Sequence, residues 1–87
     1  MDMNGLDASL KLVNDKKSFA NFVLKLCADL RENPRLWENQ DLGKFLEALG
    51  AWIEDMDGYY ENMGVEMPRN ANWKIFADAL MAARVYE

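Results

Sequence analysis

Four carboxylates and two phenols fall within eight consecutive positions of this chain: Glu54, Asp55, Asp57, Tyr59, Tyr60 and Glu61, with Gly58 among them. If the segment is helical, Glu54 and Asp57 at i, i+3 share a face with Glu61, four residues beyond Asp57. Three carboxylates on one face can converge on a hard cation such as Mg2+ or Ca2+, which prefers oxygen ligands. That chemistry would belong to a divalent-metal-binding helical hydrolase using Glu54, Asp57 and Glu61. The same residues, joined by Asp55, Tyr59 and Tyr60, also suit protein recognition, because tyrosine anchors interfaces and clustered charge steers encounter. The plainest alternative is the solvated face of a helix.

The cation reading lacks the companions it needs. The Asp55-x-Asp57-Gly58 fragment is out of register with an EF-hand loop, whose glycine is the sixth residue and whose last ligand is a glutamate at the twelfth. Helical nucleotide pyrophosphatases pair Glu-x-x-Asp with a Glu-x-x-Glu, and no Glu-x-x-Glu occurs here. No metal site or cofactor is therefore assigned, and protein binding leads.

Other chemistry is scarce. There is no histidine, so the usual general base, metal ligand and nucleophile activator is missing. The two serines, Ser9 and Ser18, lie outside any Gly-x-Ser-x-Gly elbow. Cys27 lies on an apolar stripe between Leu26 and Ala28, which predicts a buried, inert thiol. The glycines match no phosphate-binding loop, and Gly50, interrupting a helical pattern, predicts a close approach by another backbone or a large ring. No catalytic residue is assigned, and the balance leans away from an enzyme.

The elements that must position the acidic cluster are helices. Phe19, Phe22, Val23, Leu26, Cys27 and Leu30 follow one 3.6-residue stripe, which predicts a helix over 17–32, capped by Ser18 or Asp15 and stopped at Asn33-Pro34. Leu42, Phe45, Leu46, Leu49, Trp52, Ile53 and Met56 predict the longest helix, capped by Asn39 and ending at Gly58 or running on to a left-handed Gly64. A last helix from Trp73 to Tyr86 follows Asn70 or Asn72 and is apolar almost all round, so it is either central or covered by a partner. Leu6, Leu10 and Val13 suggest a short first helix. With no threonine and no alternating run of strand length, a sheet is not expected. The expected architecture is a compact all-α bundle of about four helices in a single domain over 1–87, with Trp37, Trp52 and Trp73 as packing residues.

Charge narrows the partners. The net charge is −5, with +1 over residues 1–36, −7 over 37–68 and +1 over 69–87. That acidity argues against nucleic acid, which needs lysines and arginines on its phosphates. No stretch has the apolar length of a membrane span, Met1-Asp2-Met3-Asn4-Gly5 has no leader character, and one cysteine cannot form an internal disulfide. A cytoplasmic setting is expected, with a basic protein surface as partner or a second copy meeting the Trp73–Tyr86 helix.

Six ordered blocks carry a resemblance: Ser18-Phe19-x-x-Phe22-Val23, Trp37-Glu38-Asn39, Phe45-Leu46-Glu47-Ala48, Ala51-Trp52-x-Glu54-Asp55, Trp73-x-x-Phe76-Ala77 and Ala83-Arg84-Val85-Tyr86-Glu87. Together they resemble a family of small bacterial proteins catalogued as a domain of unknown function. The resemblance implies a complete stand-alone bacterial protein and brings no reaction, ligand or catalytic residue with it. Its polar members have a packing explanation: Asn39 caps the long helix and Glu38 or Glu87 pairs with Arg84.

Overall fold

The start of each longer helix is set by a side-chain oxygen that takes up a free backbone N–H. In the computed structural model, which describes residues 5–67 and 69–87, α1 spans Leu6–Lys11, α2 Lys16–Glu32, α3 Leu42–Met63 and α4 Trp73–Ala83. Asp15 accepts from the Ser18 N–H at 2.8 Å while the Ser18 hydroxyl accepts from the Asp15 N–H at 3.0 Å, a reciprocal capping box on α2. Those Ser18 contacts hold the Asp15 carboxyl below its ordinary range. Asp41 caps α3 through the Lys44 N–H, and Asn72 caps α4 through that of Ile75, each at 2.8 Å.

Where helices stop is equally local. Asn33-Pro34 ends α2, because the residue before proline avoids helical dihedrals, and Pro34–Leu36 forms one 3-10 turn. The α3 helix passes through Gly58 and closes at Gly64, whose φ of 69° is left-handed and open to glycine at little cost.

The last helix is the hub. α1, α2 and α3 all pack on α4, and α1 also packs on α2. Ala77, Ala79 and Ala83, all buried, keep the surface of α4 low enough for three neighbours to approach. This explains why its sequence is apolar nearly all round: the helix is central. Its core falls into two lobes. One gathers Leu6, Val13, Phe22, Leu26 and Trp37 around Ala77; the other sets Trp52 and Tyr60 against Ile75 and Ala79. Full burial of a side chain such as Phe22 is worth about 1.5–3 kcal/mol.

Several expectations need correction. Asn39 does not cap α3; it caps the other end of the hub. Its side-chain amide donates to the carbonyls of Ala83 and Tyr86, each at 2.9 Å, and its backbone N–H donates to that of Arg84. The helix accordingly ends at Ala83, three residues before Tyr86. Arg84 pairs with Asp29 at 3.6 Å, not with Glu38 or Glu87. Cys27 is exposed, because α2 buries the narrower line Phe22, Leu26 and Asp29 and leaves Val23 and Cys27 on its flank. Gly50 is exposed with open space where a Cβ would stand, so no close approach explains it. The reading of Met1–Asn4 as leaderless lies outside the described residues. Among the described residues no strand forms and no helix is long and apolar enough to cross a membrane.

Candidate functional site: the outer face of α3

α3 is long and has one helical neighbour, so most of its circumference is open. Ala48, Trp52 and Tyr60 are buried and turn toward α4; Glu47, Glu54, Asp57 and Glu61 are exposed. Glu47, Glu54 and Glu61 recur every seven residues and run down the outer face as one line. No lysine or arginine occurs between Lys44 and Arg69, and these three glutamates form no ion pair with a described residue.

The structure divides the sequence-predicted cluster. Glu54, Asp57 and Glu61 stay on the surface, and Tyr59, 40% exposed, lies against Trp52 and Tyr60 with ring centroids 5.3 and 5.0 Å away. Tyr60 is turned inward: its hydroxyl donates to Asp78 at 2.7 Å in the second lobe, so it cannot serve as a surface anchor. Asp55 is already engaged, accepting from the Tyr86 hydroxyl. Among the described residues no three acidic or cysteine side chains gather as a metal-holding group, and the hydrolase reading loses its geometric basis.

Two buried carboxylates lie outside the sequence-predicted site residues. Asp29, 3% exposed, accepts from the Trp37 indole N–H at 2.7 Å and the Asn33 amide at 3.1 Å, and Arg84 lies beside it and over the Trp37 ring. Asp78 accepts from Lys74 as well as Tyr60, both at 2.7 Å. A signal for both existed. Asp29 continues the apolar line from Phe22 and Leu26, and Asp78 interrupts an otherwise apolar helix; a carboxylate in such a place is paired or it would not ionise.

These groups are held by structure. Burial and the hydrogen bond to Asp78 push the Tyr60 phenol well above its ordinary value, and the bond to Asp55 raises that of Tyr86. Among the described residues no buried side-chain nitrogen or oxygen lacks a partner. The outer acidic line of α3 is open to an external contact, and so are apolar side chains on its flank. Leu42, Leu46 and Ile53 are 72, 53 and 47% exposed. A cleft of about 320 Å3 at the start of this strip is walled by Leu30, Trp37, Leu42 and Phe45.

Comparison with known proteins places the chain in a family: residues 15–87 match the model of a family of unknown function, DUF7660, and the chain belongs to it. Neither a curated protein nor a solved structure matches it.

Proposed function

We propose that this member of the DUF7660 family is a non-enzymatic protein-binding module, inhibitory or immunity-like in kind, that presents the outer face of α3 to a basic surface on its partner. The supporting observation is the uncompensated line Glu47, Glu54 and Glu61, exposed on a helix stretch without a single basic side chain. Asp57 stands at i+3 from Glu54 and i−4 from Glu61, and like charges so spaced cost a few tenths of a kcal/mol per pair. A partner's lysines and arginines would relieve that repulsion and speed encounter. Asp57 borders this face, while Tyr59 lies on the inward side of α3 against Trp52 and Tyr60.

The test uses a double substitution, Glu54→Lys with Glu61→Lys, which touches only exposed positions and spares Asp55 and its bond to Tyr86. Wild type and variant, matched for thermal stability, are immobilised and challenged with lysate of the source cells at low and high salt. A partner held by wild type, released by salt and missed by the variant supports the reading. Identical binding by both, or none, removes it.

A further inference from the structure

We infer that the basic surface met by the acidic face of α3 is the outer face of α2 on a second copy of this chain. The inference rests on the acidic-face reading and names the partner's surface. α2 buries Phe22, Leu26 and Asp29 toward α1 and α4. On the opposite side Lys17, Leu24 and Arg31 recur every seven residues, and all three are exposed, Leu24 to 69%. Neither Lys17 nor Arg31 forms an ion pair with a described residue. The helix's own acids leave this line alone: Asp29 is buried beside Arg84, and Glu32 is the last residue of α2.

The outer lines of α2 and α3 match in length and in sign. Lys17 to Arg31 and Glu47 to Glu61 each span fourteen residues, about 21 Å of helix. α2 carries four basic side chains, and α3 carries five acidic ones against the single Lys44.

They also match in relief. Leu24 projects midway between its two cations, whereas Gly50 and Gly58 alternate with the glutamates of α3, each exposed with open space where a Cβ would stand. A leucine seated at either glycine lets the two helices approach closely. One cation of the α2 line then falls between two of the glutamates and the other within about one turn of the third, whether the helices run parallel or antiparallel. A second copy also accounts for both faces with one contact: the partner's Lys17 and Arg31 relieve the repulsion along α3, and its Leu24, which no core requires on that side of α2, leaves water. Because α2 and α3 are different surfaces of one chain, every copy carries one face of each kind.

Sedimentation velocity on the purified chain at low salt is expected to show species heavier than the 10.0 kDa chain that grow with concentration and dissolve in high salt. Lys17→Glu with Arg31→Glu should abolish them, as should Glu54→Lys with Glu61→Lys, each with the helical circular dichroism of wild type. All four substitutions together exchange the signs of the two faces and should restore association. Leu24→Ser should weaken it by about tenfold. A wild type monomeric at every concentration overturns the inference, as does association indifferent to either charge reversal or to Leu24→Ser, or a folded fourfold variant that regains nothing. Purified chain reports only self-association, so the two readings fail separately. A monomeric wild type that still captures a salt-released partner from lysate removes the second copy and leaves the acidic face, and lysate capture indifferent to Glu54→Lys with Glu61→Lys counts against the acidic face itself.

Discussion

The indole N–H of Trp37 points at the carboxylate of Asp29 across 2.7 Å, and Arg84 closes over both from the far end of the chain. The three residues come from α2, the loop before α3 and the residue just past α4, so one buried carboxylate ties together segments separated by more than half the sequence. A buried acid of this kind is destabilising alone and tolerable only with its donors in place.

Removing the acid should therefore be severe. Asp29→Ala leaves the buried Trp37 N–H and the part-buried Arg84 guanidinium without their anion, and breaking a buried pair from one side costs about 3–5 kcal/mol. Urea unfolding of the variant against wild type measures this; a midpoint within error of wild type would show that the contact contributes nothing.

Stability should also decline in base. The phenol of Tyr60 titrates above its ordinary value of 10.0 in the folded protein because burial and Asp78 favour the neutral form. Above pH 10 the unfolded chain releases that proton while the folded chain keeps it, so stability, complete below the unfolded value, falls with rising pH. Tyr60→Phe removes the titrating group and should flatten this decline. Tyr86, raised in the same direction by Asp55, adds to the wild-type slope. Denaturation midpoints between neutral pH and about pH 11 check the sign for a phenol of this type.

Glycines in one helix should respond oppositely to the same substitution. Gly50 has helical dihedrals and empty space where a Cβ would go, so Gly50→Ala should stabilise by about 0.5–1 kcal/mol. Gly64 sits at φ 69°, and Gly64→Ala should destabilise by about 1 kcal/mol. Thermal melts of the two variants decide it, and equal signs would contradict the assigned helix end.

The thiol of Cys27 should react in the native state. Its side chain is exposed on the flank of α2, so a disulfide reagent added to dilute folded protein should titrate one thiol per chain as fast as in denaturant. A rate limited by unfolding would mean that the thiol is buried.

Cys27 also marks where sequence reading reached its limit. A 3.6-residue stripe defines the inward side of a helix but not how wide an arc its neighbours cover, and α2 receives α1 and α4 while leaving Val23 and Cys27 uncovered. The α2 boundary was legible to within one residue, because Asp15, Ser18 and Asn33-Pro34 act locally. The end of α4 was not: what stops it is Asn39, more than forty residues away, donating to its last carbonyls. Part of the candidate site was legible for the same reason. Spacing placed Glu54, Asp57 and Glu61 on the surface of a helix, whereas the inward turn of Tyr60 and the engagement of Asp55 depend on Asp78 and Tyr86, residues that only the tertiary fold brings near.

The position of α4 bears on how the protein is made. A nascent chain emerges from its N-terminus, and while only α1 to α3 have left the ribosome, α1 can lean on α2 but α3 has nothing to rest against. Both lobes of the core lack their α4 side chains at that stage, and Asp29 faces water without Arg84. The contacts that join the two lobes therefore await the hub helix. During that interval the apolar sides of α2 and α3 are open to chaperones and to neighbouring chains. A break in α4 would leave α3 with no helix to rest against.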